Sequence, residues 1–348
     1  MTLRKAGRCR KLVAVVVTYN RLEKLKVTLT RLLDSAPGEL AHVVVVDNAS
    51  TDGTGDWLTA QVAVRAEAGQ QGCLTALHSA VNSGGAGGFE WGMRHAMEVL
   101  SPEQPPDWLV VMDDDGRPEP GALAAFHQIP DDRWEAIAAA VYFPSGEICE
   151  MNRPSRNPFW RLPEFLRTTL GGGRGGFHLT PDAYQAAQGS PIDVTSFVGF
   201  FISARAIERV GYPDPALFIY GDDGIYTLGL SAAGGRIGFE PGLRFEHDLT
   251  SFQDGAGQQG SAVQQGRLAP LWKVYYYHRN LLIMYRLAAG LWFWPVLLVI
   301  LPKWLMKARH YGTDKRIFYR LMRRAICDGL RRRTTATLAE VKRWSQEG

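Results

Sequence analysis

The first third of the chain alternates between strand patterns and helices with one apolar face. Residues 12–20, LVAVVVTYN, form a β-branched run ending in polar side chains, which is typical of a strand buried on both faces. Residues 21–37 then place leucines at helical spacing and end at a proline. Further strand patterns occupy residues 42–50, 73–79 and 107–115. This alternation predicts an α/β fold with a doubly wound, mainly parallel (Rossmann-like) sheet over the first ~120 residues.

The rest of the chain divides into two further regions. Residues 151–265 contain short apolar runs and a second acidic pair, and we expect them to complete the domain begun by residues 1–150. Residues 266–348 change character, because aromatic and aliphatic residues are concentrated there beside basic ones. The sequence therefore predicts two halves of one α/β domain and a C-terminal helical region.

The C-terminal region has the composition of a membrane-associating segment. Its uninterrupted apolar stretch, residues 287–301, is 15 residues long and contains Gly290 and Pro295, whereas a spanning helix needs ~20. Tryptophans beside lysines, as at Trp304 and Lys303, are typical of a helix lying at the headgroup level. The alternative is a core helix with an exposed basic flank.

The distribution of charge in the C-terminal region also favours a membrane surface as its partner. The formal net charge is only +4, but residues 303–343 hold 13 Lys and Arg against three acidic residues. Such a segment attracts polyanions. Its aromatic residues are embedded in aliphatic ones, which favours an anionic membrane surface over nucleic acid.

Bulk composition indicates a globular, cytoplasmic protein. The chain is 46% hydrophobic and 21% charged, as ordinary globular proteins are. Its four cysteines form no CxxC pair, which is typical of reduced thiols in the cytoplasm. The N-terminal apolar run is short and has no small-residue cleavage site, so it is interpreted as a strand and not as a signal peptide.

Candidate chemistry begins with MDDD at the end of the fourth strand pattern. Three adjacent carboxylates repel one another and are rarely gathered without a cation. Alternate residues of an extended segment point the same way, so Asp113 and Asp115 can face one ion while Asp114 points elsewhere. Oxygen ligands suit Mg²⁺ or Mn²⁺, which then bridge to phosphates. A solvated acidic turn is the alternative, which the preceding buried strand disfavours.

Two other strands deliver polar residues to the same edge. Ligands of such sheets bind beyond the carboxyl ends of the strands, and Thr18, Asn20, Asp47 and Asn48 follow the first two strand patterns. They are candidates to contact a base or a ribose. Asn48 and Asp52 are equally suited to cap the following helix.

NSGGAGGF, residues 82–89, is a glycine-rich turn opening a helix. Asn82, Gly84 and Gly85 would let backbone N–H groups approach a diphosphate, although a purely structural turn of this composition is about as frequent. It is not a dinucleotide-binding GxGxxG motif.

Two later features complete the candidate site. Asp222 and Asp223 in YGDD offer a carboxylate to deprotonate an acceptor hydroxyl, and we favour Asp223 as the base. A helix N-cap pair is the alternative. His247 is a candidate third metal ligand beside the carboxylates, although a lone histidine is more often structural.

Taken together, these motifs resemble the inverting glycosyltransferases of family 2, which have the GT-A fold. VVVTYNR, VVDNASTDGT, the aspartate cluster and an acidic pair followed by a histidine occur in the order of that family. The resemblance covers roughly residues 12–247 and continues weakly through YYYHRN. Within the family the chain is most similar to bacterial galactofuranosyltransferases and next to the cell-wall rhamnosyltransferases, on NSGGAGGF, MDDD and the 24 residues from Asp223 to His247.

The resemblance implies roles for these residues. Mn²⁺ or Mg²⁺ is expected on Asp113, Asp115 and His247, with Asp223 as base and Asp222 beside it. Residues 1–150 would bind the nucleotide sugar and residues 151–265 the acceptor. The nucleotide-sugar-binding candidates, from the residue patterns and the resemblance together, are Thr18, Asn20, Arg21, Asp47, Asn48, Asn82, Gly84, Gly85, Asp113 and Asp114.

The implied function is that of a metal-dependent hexosyltransferase. It would transfer galactofuranose from UDP-galactofuranose to a hydroxyl of a glycan or polyprenyl-linked acceptor in cell-envelope polysaccharide synthesis, at the cytoplasmic face of the plasma membrane. One departure bears on the donor: Gly221 stands where the galactofuranosyl group typically has Trp, with Tyr220 one residue earlier.

Three alternatives remain open at this point. The first is a dTDP-rhamnose-dependent rhamnosyltransferase. The second is a non-catalytic, membrane-recruited module that binds nucleotide sugars. The third is a nucleotidyltransferase, which is disfavoured because TYNRLEKL has no glycine-rich loop after the first strand.

Overall fold

The computed structural model describes residues 10–69, 73–100, 103–249 and 267–346. Strands in these residues join one mixed sheet in the order β3-β2-β1-β4-β8-β6-β9-β5, with β7 paired to β9. Their bounds are β1 Leu12–Thr18, β2 His42–Asp47, β3 Leu74–His78, β4 Trp108–Asp113, β5 Gly116–Pro118, β6 Ala136–Tyr142, β7 Ser190–Ile192, β8 Phe200–Ser203 and β9 Ile237–His247.

The doubly wound, parallel arrangement expected from the sequence is present in β1 to β4. Each of their pairings is parallel. Beyond β4 the sheet is mixed, because β8 runs antiparallel to both β4 and β6, and β5 and β7 run antiparallel to β9. β6 and β9 are parallel to each other. The sheet thus joins strands from residues 1–150 and 151–265, and the predicted boundary at residue 265 lies outside the described residues.

Helices cover both faces of the sheet and then form the C-terminal region. The helices of the α/β domain are α1 Leu22–Leu33, α2 Thr54–Glu67, α3 Gly84–Arg94, α4 Ala122–Gln128, α5 Leu162–Arg167, α6 Ala204–Val210 and α7 Asp222–Ala232. The C-terminal helices are α8 Lys273–Ala289, α9 Phe293–Met306, α10 Lys315–Arg331 and α11 Leu338–Gln346.

The alternation of β1 divides its side chains between two hydrophobic layers. Val15 belongs to the layer that includes Phe89 of α3, and Val16 belongs to the layer that includes Leu25 of α1 and Phe126 of α4. Every residue of β1 is buried. Burial on both faces explains its continuous apolar pattern and makes the sheet a rigid support for the residues at its carboxyl edge.

The C-terminal helices have a hydrophobic core of their own. Tyr275 and Tyr276 of α8 pack in it with Phe318 of α10 and Trp304 of α9. α8 also contacts α7, the helix that begins at Asp222. YGDD is preceded by a 3₁₀ turn, Pro215–Leu217, and a loop.

Candidate active site

The carboxyl ends of the parallel strands meet at one edge of the sheet. In the strand register Thr18 lies opposite Asp47, Val17 opposite Asp113, and Asp47 opposite His78. The predicted residues of the first two strands and the aspartate cluster are therefore brought together, as expected for parallel strands ending at one level.

Arg21 and Thr18 hold two of the three adjacent aspartates. The Thr18 hydroxyl donates to Asp114 Oδ2 at 2.7 Å, and the Arg21 guanidinium donates to Asp115 Oδ2 at 2.6 Å and to Asp114 Oδ1 at 3.3 Å. Thr28 of α1 donates its hydroxyl to the Asp114 carbonyl at 2.7 Å. Arg21, predicted to contact the donor, is thus also an ion-pair partner of the cluster.

The three carboxylates differ in their acidity. Burial and the charges of Asp115 and Asp114 raise the pKa of Asp113 to about 8. Burial also raises the pKa of Asp114 to about 6, against the opposing effect of Arg21. Burial disfavours ionised Asp115 as well, but its hydrogen bond to His247 and the charges of His247 and Arg21 outweigh burial and lower its pKa. The raised pKa of Asp113 shows that Arg21 and His247 do not neutralise three ionised carboxylates, and a bound cation would favour the fully ionised cluster.

His247 at the end of β9 is oriented toward this cluster by residues that the sequence analysis missed. Its Nδ1 lies 2.7 Å from Asn152 Oδ1, and an amide oxygen only accepts, so Nδ1 carries the proton. Nε2 lies 3.2 Å from Asp115 Oδ1 and donates to that carboxylate when the ring is protonated on both nitrogens. Asn152 is itself fixed by donating to Ser196 Oγ at 2.8 Å. A side-chain pair 95 positions apart leaves no local sequence signal, so only the structure reveals it.

The predicted metal ligands are neighbours, but they are not arranged as a closed cation site. Among the described residues, no group of three or more His, Cys, Asp or Glu side chains is placed to hold a metal ion. Arg21 occupies the side of Asp115 that His247 does not contact. The donor set nevertheless fits a hard divalent cation, since it offers carboxylate oxygens and an imidazole nitrogen whose other nitrogen is fixed by an amide.

The predicted donor-binding residues after β1 and β2 have intramolecular partners. Asp47 Oδ1 accepts from the Ser50 backbone N–H at 2.9 Å, and Asn20 Oδ1 accepts from the Thr51 N–H at 2.7 Å. Asp52 accepts from the N–H groups of Leu22 and Thr54, so its predicted capping role extends to the start of α1. Asp47 is buried, whereas Asn20 is exposed at the same edge.

Asn48 connects the second strand to the glycine-rich turn. Its Nδ2 donates to the Gly84 carbonyl at 2.8 Å, and its Oδ1 accepts from the Ser83 N–H at 2.9 Å. The N–H groups of Gly84 and Ala86 donate to Asn82 Oδ1 and to the Phe218 carbonyl. These two N–H groups are thus used within the protein, which corresponds to the structural alternative for this turn.

Close packing accounts for most of the glycines in this segment. A Cβ at Gly84 would lie 2.0 Å from the Phe218 carbonyl oxygen, and one at Gly88 would lie 2.5 Å from a Val17 methyl. Gly85 has space, and a Cβ there would be 3.9 Å from Asp222 Oδ2. The turn therefore lies between the strand edge and the second acidic pair.

Asp222 and Asp223 form the first turn of α7. Burial raises the pKa of both, and the charge of Asp223 raises that of Asp222 further, to about 8. The pKa of Asp223 is raised to about 6, because the Gly224 N–H, 2.6 Å from its Oδ1, partly offsets burial. Asp223 is thus the member of the pair that is ionised at neutral pH.

A loop in an unusual conformation precedes this pair, and α8 holds it. Phe218, Tyr220 and Gly221 all have positive φ, at 65°, 68° and 74°, which is strained for the first two. Asn280 Nδ2 lies 2.8–3.0 Å from the carbonyl oxygens of Leu217, Ile219 and Tyr220. These three contacts, here called the Asn280 clamp, give the YYYHRN segment a structural role that sequence patterns did not indicate.

The adjoining Arg279 reinforces the clamp. Its guanidinium donates to the carbonyls of Ala216 and Leu217 and, through Nε, to Asn280 Oδ1 at 2.8 Å. Arg279 and Asn280 are fully buried, so these hydrogen bonds replace the water that their side chains have lost.

Aromatic side chains border Asp222 and Asp223, although this chain has Gly221 where the galactofuranosyl group typically has Trp. The Tyr220 ring lies 5.8 Å from that of Tyr277, and the Lys273 ammonium lies 5.9 Å from the Tyr220 centroid. Burial lowers the pKa of Lys273, and the charge of Arg21 adds to this effect. The start of α8 therefore faces the same cleft as the aspartate cluster.

Comparison with known sequences identifies the class. Residues 13–183 match the sequence model described as Glycosyl transferase family 2. With the sheet and the aspartate edge described above, this match identifies residues 13–183 as a glycosyltransferase family 2 domain, and the sheet has the GT-A fold. A crystal structure of GalNAc-T7 with UDP, GalNAc and Mn²⁺ has a TM-score of 0.54 and 14% identity, over 79% of this chain and 47% of that one. At that identity the likeness concerns the fold alone.

Within the family, the chain is similar to galactofuranosyltransferases. It is 33% identical over 220 residues to Galactofuranosyltransferase GlfT1 of Mycobacterium tuberculosis, over 60% of this chain and 61% of that protein. It is also 35% identical over 117 residues to the Undecaprenyl-phosphate mannosyltransferase of Micrococcus luteus, over 32% of this chain and 41% of the relative. The match thus spans less than two thirds of either relative.

Proposed function

We propose that this protein is an inverting glycosyltransferase of cell-envelope synthesis that transfers galactofuranose from UDP-galactofuranose. The observation that carries the proposal is the strand edge at which Asp113, Asp114 and Asp115 adjoin His247, with a second buried acidic pair across the glycine-rich turn. The similarity to galactofuranosyltransferases over 220 residues supports the donor.

The proposal includes a divalent cation, Mn²⁺ or Mg²⁺, held by Asp113, Asp115 and His247. The raised pKa of Asp113 and the imidazole nitrogen aimed at Asp115 support this ligand set. When bound, the cation would neutralise the diphosphate leaving group. Arg21 would release Asp115 and contact the phosphates, a role that its five N–H donors suit. Thr18, Asn20, Asp47 and Asn48 would line the nucleoside side.

In this mechanism Asp223 acts as the base. It accepts the proton of the acceptor hydroxyl while that oxygen attacks the anomeric carbon and the bond to the nucleoside diphosphate breaks. One displacement inverts the anomeric configuration, and the transition state has oxocarbenium character. Asp222, protonated near neutral pH, donates a hydrogen bond to the sugar. Tyr220 and Tyr277 supply the aromatic contact that a Trp at position 221 would otherwise make.

The acceptor we propose is a glycan carried on a polyprenyl lipid. Similarity to an undecaprenyl-phosphate mannosyltransferase supports a lipid-linked substrate. Within the described residues, one helical stretch, Lys273–Arg331, is long and apolar enough by composition to cross a membrane, and its most apolar window is only 17% buried. Backbone breaks at Gly290 and Gly312, with φ of 52° and 49°, divide that stretch. We therefore propose that it lies on the cytoplasmic surface of the plasma membrane.

Donor hydrolysis tests the proposal directly. Purified protein with Mn²⁺ would be given UDP-galactofuranose, UDP-galactopyranose, UDP-glucose and dTDP-rhamnose in parallel, and nucleoside diphosphate release measured. We expect metal-dependent turnover of UDP-galactofuranose that is lost in Asp115→Ala and kept in Asp56→Ala, the same change at an exposed acid of α2.

Other outcomes separate the alternatives. Turnover of dTDP-rhamnose instead would keep the mechanism and replace the donor. If calorimetry shows no binding of UDP or dTDP in the presence of Mn²⁺, the glycosyltransferase proposal is wrong.

A further inference from the structure

The helix α9 presents an apolar face to solvent. Leu291, just before the helix, is 96% exposed, and Leu298 is 78% exposed. Phe293, Leu297 and Trp304 face the core instead. The other exposed apolar residues of this row are Trp292, Trp294, Val299, Leu305 and Met306. A helix of a globular protein normally carries polar residues on the side away from its core, so this face is expected to have a partner.

A second element, distant in sequence, extends the same face. α5 and the turn that follows it expose Leu162 and Leu170, at 68% and 82%, together with Leu166. The ring of Phe165 lies 6.4 Å from that of Trp292. α5 is therefore in contact with the turn that leads into α9, and both elements expose leucines beside this contact.

Hydrogen bonds fix the α5 segment to the C-terminal helices. Asn157 Nδ2 donates to the Ala288 carbonyl, at the end of α8, at 3.0 Å. The Asn157 N–H in turn donates to Asp193 Oδ2 at 2.7 Å. Asn157 is buried, so this link holds the α5 segment and the end of α8 in a fixed relation.

The charges of the face have one sign. The exposed charged residues of α5 and α9 are Arg167 and Lys303, both basic. Glu164, the acidic residue of α5, is buried and paired with Arg156 and Arg167. Basic residues beside exposed leucines and tryptophans are complementary to anionic headgroups over an acyl layer.

We propose that α5 and α9 form one membrane-docking surface for an anionic bilayer, with Leu162, Leu166 and Leu170 inserting beside the α9 row. α9 has 14 residues, about 21 Å at the helical rise, which is short of the ~30 Å hydrocarbon core. The helix α9 therefore lies in the interface and does not span the bilayer. A second copy docked on this face would bring like charges together. The inference extends the proposed function by adding α5 to the membrane contact, and its test needs no catalysis.

Vesicle flotation of the full chain tests this surface. The probes are phosphatidylcholine vesicles with and without phosphatidylglycerol. The variants are Leu166→Glu with Leu170→Glu on the α5 side, Leu298→Glu with Val299→Glu on α9, and Val64→Glu as a control at an exposed valine of α2. We expect each double variant to lower the partition coefficient about tenfold or more, since burying one leucine is worth roughly that factor. The control should bind as the parent chain does, and binding should increase with the anionic lipid.

The outcomes are separable from those of the proposed function. Loss of binding only in the α9 variant would overturn the role of α5, and unchanged binding in both would overturn the whole surface. A mass in solution that falls from dimer to monomer in the double variants would assign the face to a second copy. Circular dichroism and thermal melting check that the variants are folded, and neither measurement depends on catalysis.

Discussion

Asp223 is the residue whose ionisation should govern the rate. Burial raises its pKa to about 6, and a base acts in its ionised form, so kcat should increase as pH rises through about 6 and then level off. Asp223→Asn should lower kcat by about 10²–10⁴-fold at every pH. Calorimetric UDP binding should be unchanged, which separates chemistry from binding. A rate that stays flat down to pH 4 would exclude Asp223 as the base.

Asn152 provides a second test among single residues, because it would act on the proposed metal site without contacting the cation. Asn152→Ala removes the acceptor that fixes His247 Nδ1, and loss of such an outer partner typically weakens metal affinity by about 10–100-fold. Ser196→Ala is the matched control, since Ser196 bonds the other end of the amide. The Mn²⁺ affinity of each variant is measured by titrating Mn²⁺ and monitoring UDP binding. An Mn²⁺ affinity of Asn152→Ala equal to that of the parent chain would argue against His247 as a ligand.

At the scale of elements, α3 lies against the sheet because its glycines have no side chain. A Cβ at Gly92 would be 2.5 Å from a Val15 methyl and 2.9 Å from a Val46 methyl, and β-branched side chains have few alternative rotamers. Gly92→Ala should therefore destabilise the protein by about 1–3 kcal/mol.

Gly229 on α7 is the matched control, since a Cβ there meets nothing within 4 Å. Gly229→Ala should stabilise by about 0.5–1 kcal/mol through helix propensity alone. Chemical denaturation of both variants measures the difference. Equal stability changes would show that α3 does not pack on β1 as described.

For the molecule as a whole, the C-terminal helices and the α/β domain form one functional unit through Asn280. Asn280→Ala removes the donor that three backbone carbonyls share, which should cost about 1–3 kcal/mol of stability. The loss also releases the loop before Asp222, so kcat should fall roughly ten- to hundredfold while KM for the donor changes little. Asn280→Asp, similar in shape but unable to donate, should behave like Asn280→Ala.

Leu281→Ala on the same helix separates stability from positioning. Leu281 is partly buried in the C-terminal core, so its truncation should lower stability by a comparable amount and leave kcat unchanged. Steady-state kinetics well below the melting temperature of each variant make the comparison. If Asn280→Ala and Leu281→Ala lose kcat equally, Asn280 has only a structural role.

Much of the fold and part of the site followed from sequence patterns. The four parallel strands, the helices between them and the convergence of Thr18, Asp47 and Asp113 were predicted, because hydrophobic periodicity and the polarity of strand ends are local properties. The strand directions beyond β4 were not, since an antiparallel β8 and a parallel β9 have similar apolar patterns. Of the predicted metal ligands, Asp115 and His247 are in contact, and their role as ligands stays a prediction.

By itself, the sequence determined the strands and helices of the first ~115 residues, where carboxylates accumulate and that the C-terminal region is apolar and basic. Only the tertiary structure decided that Asn152 orients His247, that Asn280 holds the loop before Asp222 and that α5 lies beside α9. These pairs are 60 or more positions apart. Their contacts depend on how packed layers bring distant backbone together, and a hydrogen bond between such residues imposes no period on the residues around it.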